Sequence, residues 1–158
     1  MSGQWVRDIR KELLSHLLDE RYPRAALSQA AAKWLAAGVD APEIVDLAGL
    51  SHSAPAWEVR EYASAAMRRF GIPSLGVVQE RQQVALMLVE AMLHDAANVR
   101  EYSYLLRSLA DRFYADEYLT GLDELLGLAS SWDEPYADQI PSAIRVAAGE
   151  YLEAFRAN

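Results

Sequence analysis

Apolar residues recur every three to four positions along almost the whole chain, the period of an α-helix buried along one face. Trp5, Ile9, Leu13 and Leu17 repeat every four residues. Val6, Leu14 and Leu18 widen that stripe, while Arg7, Asp8, Lys11 and Glu12 fall off it. The pattern predicts an amphipathic helix over residues 3–20. Pro23 suits the opening of a second helix, where a missing N–H does little harm. This helix is alanine-rich, with Trp34 and Leu35 as anchors and Gly38 as its C′ residue. Asp40 and Glu43 have N-cap and N3 spacing for a short helix ending near Leu50. Ser53 and Pro55 start a fourth, with Trp57 in its first turn, that runs to Phe70 and stops at Gly71 before Pro73.

The stretch from Gly71 to Gly76 is the clearest internal break, but it is short and apolar and is read as a connection inside one domain. Val77 to His94 is the most apolar helix and the candidate for the centre of a bundle. Asn98 and Glu101 repeat the cap spacing for a sixth helix to about Tyr114, and Asp116 is placed to cap a seventh through Leu128. Asp133 and Pro135 start a last segment that Pro141 bends or restarts. No alternating β-branched run reaches strand length, and threonine occurs once, at Thr120. The expectation is an all-α chain: one domain over residues 1–158, a bundle of seven to eight helices joined by short loops. A faint echo links residues 41–70 with 119–156. In each, a short helix ending around glycine precedes a polar loop with proline and then a long helix. It reads either as an old duplication or as the ordinary likeness of alanine- and leucine-rich helices. Two copies are too few for a solenoid.

Composition narrows the function classes. The chain has 158 residues and no cysteine, which excludes a disulfide scaffold, a thiolate metal site and a catalytic thiol, and fits a reducing cytoplasm. Charges from Arg7 to Glu12 break up any signal-peptide core near the N-terminus. The longest apolar run, Val84 to Val89, is far short of the roughly 20 residues a membrane span needs. Fifteen basic against 23 acidic residues give a net charge of −8. That disfavours nucleic acid and anionic membranes as partners, and is compatible with a basic protein partner or with plain solubility. Asp40–Leu50 and Ser53–Phe70 could imitate a helix-turn-helix, but Glu58 and Glu61 stand where phosphates would be met.

Gly-x-Gly-x-x-Gly, Walker A, Gly-x-Ser-x-Gly and His-Glu-x-x-His sequences are all absent. Glu12, His16 and Glu20 share one helical face at four-residue spacing, as do Glu90 and His94. Carboxylate-bridged metal sites in bundles use Glu-x-x-His instead. The first set is therefore read as a solvated face with helix-stabilising pairs, Glu90 and His94 as a helix edge or a satisfied buried pair, and neither a metal nor a cofactor is expected. Trp34, Trp57 and Trp132 lie beside helix ends, as core or rim packing or as the lining of a ligand pocket.

The densest signal is electrostatic. Between Asp111 and Asp138 lie eight acids and one base, Arg112, for a net charge of −7, against −1 for the rest of the chain. Tyr114, Tyr118, Trp132 and Tyr136 are interleaved, with Tyr102 and Tyr104 just before. Aromatic rings supply rigid contact area and carboxylates pair with lysine and arginine, so Asp116, Glu117, Tyr118, Asp123, Glu124, Trp132, Asp133, Glu134 and Tyr136 are the candidate partner-binding residues. The alternative is that Asp116, Glu117, Asp133 and Glu134 serve helix N-termini.

The run WLAAGVDAPEIVDLAGL from Trp34 to Leu50, with GLASSWD from Gly127 to Asp133, resembles small helical proteins of high-GC bacteria, a group whose likeness implies no functional residue. In its acidity, size and lack of cysteine the chain is also similar to bacterial immunity and antitoxin proteins. That likeness implies a protein that occludes a basic partner, such as a toxin, without chemistry of its own. A bundle enzyme or small-ligand binder using Glu90 and His94 is the alternative, and a self-associating structural domain, a homodimer, is another.

Overall fold

A computed structural model describes residues 2–158. Among the described residues the chain is all-helical, with 74% of it in helix, no strand and eight α-helices joined by short loops. It divides into two compact units, Met1–Ser74 and Leu75–Asn158, whose boundary falls inside the break after Gly71.

The first unit holds α1 (Gly3–Leu18), α2 (Ala26–Ala36), α3 (Pro42–Ala48) and α4 (Ala56–Arg69). The four-residue stripe works as expected on α1, where Ile9, Leu13, Leu14 and Leu18 are buried. Leu27, Ala31 and Trp34 of α2 and Ile44 and Leu47 of α3 complete the interior with Val59, Ala63 and Ala66 of α4. Alanines at α2 and α4 contacts let short α3 pack closely against both. Two of these helices stop on glycine. Gly38 and Gly71 take positive φ, +96° and +76°, a conformation that strains any residue with a Cβ. Each then closes a double hydrogen bond: Val39 N–H to Trp34 O (2.9 Å) with Gly38 N–H to Leu35 O (3.0 Å), and Ile72 N–H to Met67 O (2.8 Å) with Gly71 N–H to Arg68 O (3.3 Å). Val39 and Ile72 are buried in the process, the apolar contact that accompanies this helix ending. Arg10 of α1 reaches across the unit, its Nε donating to Phe70 O at 2.9 Å.

The second unit holds α5 (Val78–His94), α6 (Val99–Arg112), α7 (Asp123–Ala129) and α8 (Ile140–Ala157). Single 3₁₀ segments lie at Ala96–Asn98, Glu117–Leu122 and Ala137–Gln139. Helix α5 packs on both α6 and α8 and has Val84, Ala85, Leu88, Val89 and Met92 buried, so it is the middle of this unit. Ile140, Ile144, Ala148 and Leu152 of α8 face the same interior.

Several helix starts differ from expectation. Pro23 sits in the turn before α2, which begins at Ala26. Asp40 does not cap α3: the helix enters through Ala41, with Pro42 in its first turn, and proline's missing N–H removes one of the donors a cap would satisfy. Asn98 stands at the N-cap position of α6 as expected but makes no side-chain cap bond; its Nδ2 donates backward to Asp95 Oδ2 at 2.9 Å. Asp133 and Pro135 lie in turns, and α8 starts only at Ile140, with Pro141 restarting the helix. Among the described residues no α-helix has a side-chain N-cap hydrogen bond.

Candidate protein-binding surface

All the net charge belongs to the second unit. Residues 1–74 carry nine acids and nine bases, whereas residues 75–158 carry fourteen acids and six bases, all arginine, for a net charge of −8.

Part of the acidic window is drawn inward. Arg81 of α5 grips Asp116 with two hydrogen bonds, 2.7 Å from Nε and 2.9 Å from an Nη. Its other Nη donates to Leu75 O at 3.0 Å, and its guanidinium lies 4.3 Å over the Phe113 ring. The two side chains are only 13% and 8% exposed, so Asp116 is neither a helix cap nor an open surface acid. The hydrogen bonds from Arg81 hold its carboxyl below the usual carboxylate range. Tyr118 follows it inward. Its hydroxyl is buried beside the Asp116 carboxylate, and burial first, then the charge of Asp116, pushes the phenol up to about 12.

Trp132 is tied down as well. Its indole N–H donates to Ser103 Oγ at 2.9 Å, and Ser103, 1% exposed, donates in turn to Arg100 O at 2.8 Å. The Arg100 guanidinium lies 5.5 Å over the indole ring and 3.8 Å from Asp133. These contacts hold the loop between α7 and α8 against α6.

The other six candidates are exposed: Glu117, Asp123, Glu124, Asp133, Glu134 and Tyr136. Among the described residues Glu117, Asp123, Glu124, Glu134 and Asp138 make no ion pair. Tyr114, 85% exposed, and Tyr136, 49% exposed, are open rings on the same stretch.

A groove of about 370 Å³ adjoins these acids. Glu124 and Leu125 of α7 form one wall, and Glu150, Tyr151, Ala154 and Phe155 of α8 the other. Gly121 shapes it: a Cβ there would stand 3.2 Å from the Tyr151 ring, so glycine lets the ring lie against the backbone. Burial raises the Tyr151 phenol above its ordinary value. Glu150 and Phe155 lie outside the acidic window. Phe155 follows the apolar spacing of the last helix, with Ile144, Ala148, Tyr151 and Leu152, whereas no sequence pattern marks Glu150.

The remaining constellations disperse. Glu12 accepts a hydrogen bond from the Tyr22 hydroxyl. His16 meets the Tyr22 ring edge-on at 6.1 Å, and burial, then the charge of Arg60, lowers its pKa. Glu90 lies 3.9 Å from Arg156, and His94 is exposed. Among the described residues no three histidine, aspartate or glutamate side chains gather as a metal site. Trp34 is buried whereas Trp57 is 61% exposed. A cleft of about 420 Å³ between α1 and α2 mixes Asp8 and Glu12 with Lys11 and Lys33, and so presents no dominant sign of charge. No helix among the described residues is long and apolar enough to cross a membrane.

The chain matches no family model, no curated protein and no solved structure. The chemistry of the surface itself is therefore the argument. Carboxylates held on short helices and turns accept hydrogen bonds from ammonium and guanidinium groups, and open tyrosine rings offer contact area with little side-chain entropy to lose.

Proposed function

We propose that this chain is an acidic protein-interaction module that binds and occludes a basic protein partner, in the manner of immunity and antitoxin proteins. The observation that carries the reading is the unpaired, exposed set Glu117, Asp123, Glu124, Glu134 and Asp138, in a unit that holds the entire net charge of −8. Charge of one sign on one unit draws an oppositely charged surface into encounter. Exposed Tyr114 and Tyr136 then supply apolar contact. Blocking is steric. The cysteine-free composition suits a reducing compartment such as the cytoplasm.

The test is a tagged pull-down at low and at high salt, followed by binding kinetics on the retained protein. One basic partner should be held at low salt and lost at high salt. Charge reversal at Asp123, Glu124, Asp133 and Glu134 should slow association by roughly 10- to 100-fold while changing dissociation far less. Affinity that stays flat from low to high salt would sink the electrostatic mechanism.

A further inference from the structure

The last helix carries more apolar surface than its own unit covers. Ile140, Ile144, Ala148 and Leu152 form the stripe buried against α5 and its neighbours. A second stripe, Ala147, Tyr151, Ala154 and Phe155, runs beside it at helical spacing and lines the groove, with polar Asn158 at its end. Phe155 is 43% exposed and Ala154 is exposed, so nothing in this unit closes over the outer half of the stripe. From residue 147 to residue 155 it extends about 12 Å, or a little over two helical turns. Glu124 and Glu150 stand on opposite walls of the apolar strip, and neither makes an ion pair among the described residues.

An apolar trough about two turns long receives a helix, which meets it with side chains at i, i+3 or i+4 and i+7. Carboxylates on both walls select the flanks of that helix: lysine or arginine beside the apolar anchors is drawn in, and aspartate or glutamate is repelled. A second copy of this chain is a poor occupant, because it would bring another acidic unit with a net charge of −8 to the same place.

We infer that the groove between α7 and α8 is the seat for a cationic amphipathic helix of the protein partner. Its apolar side chains lie along Tyr151, Ala154 and Phe155, and its basic flanks pair with Glu124 and Glu150. This rests on the acidic-module reading and adds where the partner docks and in what form.

The probe is a synthetic lysine–leucine peptide patterned to form an amphipathic helix, against a scrambled peptide of the same composition. Binding to the full chain is followed by amide NMR shifts and by titration at low salt. The patterned peptide should bind about tenfold more tightly than the scrambled one, with shifts centred on Ala147, Tyr151 and Phe155. Ala154→Trp, which fills the groove at an exposed position without changing charge, should weaken it by about tenfold. Phe155→Ser is the companion variant, and circular dichroism checks that both remain helical. Glu134→Lys with Asp138→Lys, outside the groove, should cost only a few-fold, read in the association rate. Equal binding of both peptides, unchanged by Ala154→Trp, with shifts confined to residues 133–138, would overturn the groove assignment while leaving the acidic-surface reading intact. No binding of either peptide at low salt would overturn both. Sedimentation showing a dimer that Ala154→Trp dissociates would replace the basic helix with a second copy.

Discussion

The two units repeat one helix order and hold it together by different means. Each runs long helix, shorter helix, seven-residue helix, long helix: 16, 11, 7 and 14 residues in the first, 17, 14, 7 and 18 in the second. The first is electrically neutral and ends two of its helices on glycine in the left-handed region. In the second no residue has positive φ. Its connections are fastened by side chains instead, Arg81 to Asp116, Trp132 to Ser103 and the Tyr102 hydroxyl to Asp95, whereas in the first unit Arg10 to Phe70 O only supplements a glycine ending. Glycine endings are local and leave the surface unspecified. A unit carrying a charge of −8 repels itself, and setting one arginine against one of its acids both relieves that and anchors the start of the 3₁₀ segment that carries the exposed Glu117.

Arg81→Met should separate the two units most strongly. It leaves the Asp116 carboxylate enclosed and unpaired, and should lower the thermal midpoint of the second unit by on the order of 10 °C. Hydrogen exchange should localise the loss to α5 and to residues 117–122, with α2 and α3 still protected. Equal loosening of both units would show that the pair does not act locally. The sign with pH follows from the depressed Asp116 pKa. The pair's contribution is present above the unfolded value of 3.8 and is lost as pH falls through the lower folded value.

Gly71→Ala tests the other kind of fastening. At φ +76° a Cβ should cost about 1–2 kcal/mol, measured by urea unfolding, whereas Gly49→Ala, at ordinary negative φ with only van der Waals neighbours, should not destabilise. If the two substitutions behave alike, the glycine endings are not what stops these helices.

The smallest effect belongs to His16. Burial, then the charge of Arg60, lowers its folded-state pKa below 6.5. The unfolded chain therefore takes up a proton first as pH falls, and the first unit loses stability from about pH 6.5 downward until the folded value is reached. The urea midpoint should drop between pH 7.5 and 5.5 in the native protein and drop less in His16→Gln. An identical drop in both would assign the change to other groups.

Much of this was legible in the residues themselves. Helical periodicity gave α1, α4 and α5 to within about two residues, because burial of one face is written every three to four positions. Gly38 and Gly71 announced their turns, because only glycine enters the left-handed region without strain. The acidity of the window around Asp111–Asp138 is likewise a property of composition. The helix starts expected at Asp40 and Asp133 lie elsewhere, and Asn98 stands at the start of α6 without a side-chain cap bond, because cap spacing records what a side chain is able to do and not which partner wins it.

Only the tertiary structure decided which acids face outward. Asp116 and Glu117 are neighbours of like charge, yet Arg81, 35 positions away from Asp116, takes the first and leaves the second in solvent. The same holds for the Trp132 indole, claimed by Ser103 across 29 positions, and for the groove that brings Glu124 to face Glu150. Periodicity and backbone strain are local, and the sequence determines them by itself. Ion pairing and groove walls depend on which helices meet, and that is settled only when the core packs.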